Sequence, residues 1–190
     1  DETQEVERFF AGDYDTYSVG RAQWWSERFV AKEYPQIKRG LIQREKYLNF
    51  LPTGISGIAF NTLEEPFNDI RVREAFCHLY NVEKLMDKLF FNEYVRKRSY
   101  FPRSKYEHPD NPIQDYNPEY ALELLSKAGW TKKPRGKWLT NDKGEIFEIE
   151  EFHIYQGWDR IFNYLVQDLE SVGIKLNLVV IQNQFEKAMK

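Results

Sequence analysis

The sequence predicts an α/β fold from three of its parts. Residues Ile55–Thr62 form a mostly apolar stretch typical of a strand, and a helix with an apolar stripe follows it. Residues Asn117–Gly129 carry the start and stop signals of another helix. Nearer the end, Ile146–Tyr155, Trp158–Gly173 and Ile174–Ile181 predict strand, helix and strand. Such a βαβ unit implies two parallel strands joined by a right-handed connection.

The first part of the chain predicts two helices separated by a short strand. Residues Glu2–Ala11 have apolar side chains at helical spacing, and a glycine follows them. Residues Tyr14–Val19 predict the strand. The second helix is predicted over Ala22–Glu33, where Trp25 and Phe29 lie four residues apart and are expected to share its buried face.

Extended chain is predicted between these helices and the central ones. It covers Ile37–Phe50, turns at Leu51–Gly54 and leads into the strand at Ile55–Thr62. Pro66 then ends any regular strand ladder, because proline has no amide hydrogen to donate.

Two capped helices are predicted next. Asn68 or Asp69 caps the first and Asn81 caps the second, because their side-chain oxygens can accept hydrogen bonds from free helical amides. The apolar stripe of the first helix consists of Val72, Ala75, Phe76 and Leu79. That of the second consists of Val82, Leu85, Met86, Leu89 and Phe90.

The stretch Asn92–Pro112, called the excursion below, has no periodicity. Long irregular segments of this kind are often functional or mobile, so the excursion is a place to look for ligand contacts. After it, Asn117 caps the helix that Gly129 ends. Residues Trp130–Lys143 are polar and basic and predict a hairpin that closes near Asn141–Gly144. In the strand that follows, the apolar residues change from one face to the other, and a bulge near Glu150-Glu151 accounts for the change. A further helix is predicted from Phe185.

Length and composition bound the possible functions. The chain has 190 residues, enough for one good core. Its 27 basic and 30 acidic residues give a formal charge of −3, which argues against a nucleic-acid partner. The basic run Arg96-Lys97-Arg98 predicts solvated loop charge. The single cysteine, Cys77, excludes an internal disulfide and predicts a partly buried small side chain.

No catalytic pattern stands out. His78, His108 and His153 lack the spacing of a zinc pair, and Ser56 precedes a predicted strand rather than the helix of a nucleophile elbow. The pairs Glu64-Glu65 and Glu150-Glu151 predict solvated carboxylates. The sequence therefore predicts a binding protein rather than an enzyme, with no metal site and no cofactor.

Three segments carry a family resemblance in order along the chain: Phe60–Leu85, Asn117–Trp130 and Asp168–Ile174. They resemble the extracytoplasmic solute-binding proteins of family 5, which deliver peptides and nickel chelates to ABC importers. The runs Lys38–Ile42 and Leu89–Tyr94 are most similar to the Yej-type oligopeptide- and microcin-binding branch.

The resemblance implies a periplasmic-binding-protein-like (type II) lobe with a mixed sheet flanked by helices. Residues 1–190 would form a single α/β lobe, most of the second of two lobes. It implies a periplasmic protein, with its signal peptide outside this chain, whose partners are an oligopeptide or peptide-like ligand and an ABC permease in the inner membrane. A monomer is expected. One lobe alone is expected to bind weakly, because ligand would contact both lobes only when they close.

Ligand contacts are predicted at the carboxyl end of a strand, where ligands of α/β sheets gather. The residues are Tyr155, Gln156, Trp158 and Arg160. Arg98 and Tyr100 in the excursion are second candidates, and the alternative is that Arg98 is solvated and Tyr100 packed.

Two other classes of function stay open. The same lobe architecture can serve as the ligand-sensing domain of a transcription regulator. A hydrolase would need a nucleophile, a base and an orienting group that these residues do not supply.

Overall fold

The computed structural model describes residues 2–30, 32–47, 54 and 56–181. The predicted turn at Leu51–Gly54 and the predicted helix from Phe185 therefore lie wholly or mostly outside the described residues. The described helices are α1 (Glu2–Ala11), α2 (Pro35–Lys38), α3 (Ile70–Leu79), α4 (Val82–Lys88), α5 (Pro118–Lys127) and α6 (Asp159–Val172), with a π-helical turn at Trp24–Arg28. The strands are β1 (Thr131–Lys132), β2 (Leu139–Thr140), β3 (Glu148–Tyr155) and β4 (Lys175–Ile181).

The predicted βαβ unit is present as β3, α6 and β4. The two strands are parallel, with Glu148 opposite Lys175 and Tyr155 opposite Ile181. Their register shifts between Ile149 and Phe152, which confirms the predicted bulge. The predicted turn near Asn141–Gly144 is present, where the Gly144 amide donates to the Asn141 carbonyl at 3.1 Å and Thr140 forms an antiparallel bridge with Ile146. β1 and β2 pair antiparallel across the preceding loop, in a two-stranded sheet separate from that of β3 and β4.

The junction between α6 and β4 depends on Gly173. Its φ of +96° lies in the left-handed region that favours glycine at the end of a helix. The Leu139 amide donates to the Gly173 carbonyl at 2.7 Å, so β2 runs directly against this turn. A Cβ atom at Gly173 would lie 3.0 Å from the Lys137 carbonyl oxygen and 3.1 Å from the Leu139 nitrogen. The connection between α6 and β4 therefore has no room for a side chain at position 173.

The main core lies between the βαβ unit and the pair α3 and α5. Phe147, just before β3, is fully buried, with its ring 4.5 Å from that of Trp130 and 6.1 Å from that of Phe76 between centroids. The predicted stripes of α3 and α5 are both buried in this core: Val72, Ala75, Phe76 and Leu79, and Ala121, Leu124 and Leu125. Of the stripe predicted for α4, only Leu85 is buried within that helix.

Three predicted helix caps are confirmed. The side chain of Asp69 accepts from the Arg71 amide at 2.8 Å, that of Asn81 from Lys84 at 2.9 Å and that of Asn117 from Tyr120 at 3.1 Å. These caps satisfy amides that have no partner inside their helices, which sets where α3, α4 and α5 begin.

An ion pair joins α4 to α6. The Lys84 ammonium donates to the Asp168 carboxylate at 2.8 Å, and it lies 5.3 Å from the ring centroid of Tyr164. The Asp168 side chain is only 9% exposed, whereas that of Lys84 keeps about a third of its surface in water. Because a buried carboxylate needs a partner, this pair fixes α4 against α6.

A second, smaller cluster gathers the N-terminal segments. Val6 and Phe10 of α1 pack with Phe29, and the rings of Phe10 and Tyr34 stack 3.4 Å apart. The strand predicted at Tyr14–Val19 is wrong, since the segment has no strand and only Tyr17 and Val19 pack on this cluster. Tyr17, for example, stacks on Phe29 with centroids 5.6 Å apart.

The helix predicted over Ala22–Glu33 is shorter than expected. It widens into the π-helical turn, in which the Phe29 amide donates to the Trp24 carbonyl at 2.7 Å, and it ends there. The wider turn brings Trp24, rather than Trp25, onto the face shared with Phe29. The predicted pairing of Trp25 with Phe29 is therefore wrong.

Two predicted extended segments also differ. The stretch predicted from Ile37 begins inside the short helix α2, which Pro35 favours at its first position. The described part of the strand predicted at Ile55–Thr62 pairs with no other strand. Ile58 and Phe60 still pack against the main core, where the rings of Phe60 and Phe67 lie 4.7 Å apart between centroids. Side-chain packing, not a backbone ladder, explains its apolar pattern.

The first prediction concerns Gly173 in the full-length protein. Gly173→Ala is expected to lower the free energy of unfolding by about 2–4 kcal/mol, through left-handed strain and the clash with β2. Gly129→Ala is the matched control, since Gly129 also has a positive φ but open space around it. It should cost only about 1–2 kcal/mol. Urea denaturation measures both, and equal losses would contradict the role of the β2 contact.

The second prediction concerns the ion pair. Lys84→Met leaves the Asp168 carboxylate buried without its cation, which should cost about 1–3 kcal/mol because Lys84 is partly exposed. Lys88→Met is the control on the same helix, since the pair of Lys88 with Asp87 is exposed on both sides. That change should cost less than about 0.5 kcal/mol. Similar losses in the two variants would show that the α4–α6 pair does not stabilise the fold.

Candidate functional site

The turn that follows β3 brings four predicted site residues together. Tyr155 is the last residue of β3, and its carbonyl accepts a hydrogen bond from the Trp158 amide at 3.1 Å. Gly157, with a φ of +85°, makes the turn possible. Trp158 precedes α6, and its carbonyl accepts from the Ile161 and Phe162 amides at 3.0 and 3.1 Å. Gln156 and Arg160 lie in the same turn and the first turn of α6, and both are exposed.

Both aromatic side chains of this turn are open to solvent, and that of Trp158 packs against the protein. The Trp158 ring lies 6.2 Å from that of Phe162, nearly parallel to it, and Phe162 packs 5.0 Å from Phe152. Trp158 is nevertheless 42% exposed and Tyr155 is 48% exposed. Half-exposed aromatic side chains on a rigid support are typical of a surface that receives a ligand.

The polar groups of the turn suit the main chain of a peptide. A tyrosine hydroxyl and a glutamine amide can each donate and accept, and a guanidinium can bind a carboxylate through two parallel hydrogen bonds. Tyr155, Gln156 and Arg160 supply these three groups within six residues of sequence. The turn can therefore contact both apolar and polar parts of an extended ligand.

The second pair of candidates lies in the excursion, which has no helix or strand, as predicted. Arg98 is exposed, but its guanidinium donates to the Asn111 carbonyl at 2.7 Å through Nη2 and at 3.2 Å through Nε. Tyr100 is 69% exposed, so the alternative of a packed Tyr100 is wrong. Whether either residue contacts a ligand stays a prediction.

The base of the excursion is tied to the rest of the chain by charged side chains. Glu93 accepts from the Ser26 hydroxyl at 3.3 Å and pairs with Lys46, whose hydrogen bond lowers the pKa of the Glu93 carboxyl. Arg96 donates to Glu83 at 2.8 Å, and Lys97 donates to the Gly54 carbonyl at 2.6 Å. Lys97 and Arg98 are exposed loop residues, as predicted for solvated charge, whereas the Arg96 side chain is only 24% exposed. All three also donate hydrogen bonds to protein acceptors.

Sequence reasoning missed two surface clefts. The first, of about 460 Å³, is lined by Gln23, Trp24, Glu27, Arg28, Glu33 and Tyr34. The second, of about 420 Å³, lies between the loop around Pro66, the end of α5 and the turn at Asn141–Lys143. Neither contains a predicted site residue. No sequence pattern predicted either cleft. The first is built around the π-helical turn, which was not predicted, and the second is built from three segments that are distant in sequence.

Other reactive groups give no site in the described part of the chain. No group of three histidine, cysteine, aspartate or glutamate side chains is arranged there to hold a metal. Cys77 is exposed rather than partly buried. Protein atoms around its sulfur still displace enough water to raise the pKa of the thiol, which disfavours the reactive thiolate. No helix among the described residues is long and apolar enough to span a bilayer.

In α/β proteins, ligands commonly gather at the carboxyl ends of parallel strands, where this βαβ unit has its open aromatic and polar turn. The profile of the bacterial extracellular solute-binding proteins, family 5 Middle, matches residues 1–190. The chain therefore belongs to that family. Members of this family bind solutes and are not enzymes, and the alternative of a transcription regulator finds no support in the match.

Similar proteins agree with this assignment. The nickel-binding periplasmic protein of Escherichia coli (strain K12) is 30% identical over 127 residues, which cover 64% of this chain and 24% of that protein. YejA, an uncharacterized protein of the same strain, is 31% identical over 106 residues, covering 56% and 17%. The chain thus spans less than a third of the length of these curated relatives. The predicted family resemblance is confirmed, and YejA is among the relatives.

A solved structure supports the fold. The oligopeptide-binding protein AppA from Bacillus subtilis, solved in complex with a nonapeptide, aligns with a TM-score of 0.65 at 19% identity, covering 96% of this chain and 34% of that one. At this identity the likeness concerns the fold. The predicted type II periplasmic-binding-protein-like fold is confirmed.

Proposed function

We propose that this chain is part of the substrate-binding component of an ABC importer and that it binds oligopeptides or peptide-like ligands. The turn from Tyr155 to Arg160 is the observation that carries the proposal. It combines two half-exposed aromatic rings with donors and acceptors at the carboxyl end of β3. Membership of a solute-binding family supports a binding role for this surface.

In the full-length protein, this turn faces a ligand that a second lobe encloses from the other side. The ligand's backbone groups bond to polar side chains, and its own side chains lie in roomy, hydrated spaces, which permits many peptide sequences. Tyr100 contacts ligand from the excursion, and this lobe alone binds weakly. The protein is a periplasmic monomer that delivers its ligand to a permease in the inner membrane. The periplasmic location of relatives in the family supports this part of the proposal.

A nickel chelate is a second candidate ligand. It is favoured by the 30% identity with a nickel-binding periplasmic protein. The guanidinium of Arg160 and the rings of Tyr155 and Trp158 could bind an organic chelator through its carboxylates and its apolar surface.

The third prediction tests the turn. In the full-length protein, Trp158→Ala combined with Arg160→Gln should weaken oligopeptide binding at least about tenfold, because an aromatic anchor and a carboxylate-binding group are lost together. Isothermal titration calorimetry with a mixed set of oligopeptides, and separately with a nickel–histidine complex, measures the loss and decides between the two ligand classes.

The matched control is Trp138→Ala, which removes a half-buried tryptophan outside the turn, just before β2. It should leave the affinity unchanged. Unaltered affinity in the Trp158 and Arg160 variant would remove the turn from the binding site, as would an equal loss in the control.

A further inference from the structure

The outer part of the excursion, residues 98–111, forms a loop with its own internal structure. We call this segment the strap. Its main-chain hydrogen bonds are local: the Glu107 amide donates to the Ser104 carbonyl at 3.1 Å, and the Arg103 amide donates to the Glu107 carboxylate at 2.5 Å. The rings of Phe101 and Tyr106 meet edge to face with centroids 6.0 Å apart. Compact loops of 6–16 residues that pack on their own side chains are often functional.

The two ends of the strap, Arg98 and Asn111, are joined by a hydrogen bond, and we call this closing point the neck. The Arg98 guanidinium donates to the Asn111 carbonyl at 2.7 Å, across 13 residues of sequence, and to the Pro109 carbonyl at 3.5 Å. A charged donor on a carbonyl makes a stronger bond than a neutral one. The chain just before the neck is held separately, by Arg96 on Glu83 and on the Gln114 carbonyl.

Three aromatic side chains on the strap are largely exposed to solvent. Tyr100 is 69% exposed, Phe101 is 59% exposed and Tyr106 is 69% exposed. The base of the excursion is therefore fixed by side chains from distant segments, whereas within the described part of the chain the hydrogen bonds of the strap are local apart from those of Arg98.

We propose that Arg98 is a positioning residue that clamps the neck of the strap, so that the strap opens and closes as one unit and presents Tyr100 in a fixed direction. Arg98 acts through its two carbonyl partners and does not contact ligand. The consequence for ligand affinity rests on the proposed peptide-binding function, whereas the clamp itself does not.

Limited trypsin digestion of the full-length protein tests the clamp, read at the bond after Lys105 within the strap. Cleavage by a dilute protease follows the population of the open loop. Arg98→Gln should accelerate this cleavage at least about tenfold, the size expected from losing a hydrogen bond to a charged group. Arg98→Lys keeps the positive charge and a single donor group but loses the forked geometry of the guanidinium, so it should give an intermediate rate. Arg135→Gln, which changes an exposed arginine in the loop between β1 and β2, should give the wild-type rate.

Peptide affinity separates positioning from contact. One peptide is titrated both with a free carboxyl terminus and as its amide. If Arg98 positions Tyr100, Arg98→Gln weakens binding of both forms by the same several-fold factor. A loss confined to the free-acid form would show that Arg98 binds the ligand carboxylate and would overturn the proposal, as would an unchanged cleavage rate. Should the wild-type protein bind neither form, the peptide-binding function fails, and the cleavage rates still decide the clamp.

Discussion

The close approach of β2 to the turn at Gly173 is the constraint on which the arrangement of the βαβ unit depends. The turn must end α6, begin β4 and accept a hydrogen bond from Leu139, all within a space that excludes a Cβ atom. The same main-chain network continues through Phe147, whose amide donates to the Leu139 carbonyl at 2.8 Å and whose carbonyl accepts from Lys175 at 3.0 Å. Because these bonds set where β3 begins relative to β4, they also set where β3 ends. The position of the exposed turn after Tyr155 therefore depends on the contacts of Gly173, which lies at the other end of the strands.

Helices that carry their own signals could be predicted closely from the sequence. Asp69, Asn81 and Asn117 cap α3, α4 and α5 through local bonds, and Gly129 and Gly173 end α5 and α6 with positive φ. Each of these signals acts within a few residues, so the sequence contains it in full. The bulge in β3 was predictable for a similar reason, because a change of apolar parity is visible within one strand.

What failed depends on partners that are distant in sequence. An apolar stretch such as the one containing Ile58 and Phe60 predicts burial, but only the tertiary structure decides whether its backbone also finds a strand to pair with. Likewise, the basic run Arg96–Arg98 does not reveal its hydrogen-bond partners, because Glu83, Gly54 and Asn111 lie 13 to 43 residues away. The sequence could place Tyr155–Arg160 at the carboxyl end of a strand in a βαβ unit, a general location for ligands, and ligand binding by these residues stays a prediction. Their half-exposed aromatic rings, and the binding of Arg98 to carbonyl groups, were not predictable.

Photo-crosslinking in the full-length protein tests most directly whether ligand lies at the carboxyl end of β3. A benzophenone amino acid replaces Tyr155 in one variant and Ile146 in another. Both positions are exposed, and they lie near opposite ends of the same strand, roughly 30 Å apart for nine residues of extended chain. Irradiation with a labelled oligopeptide should crosslink at position 155 and not at position 146. Equal labelling at both positions, or labelling at 146 alone, would contradict the account.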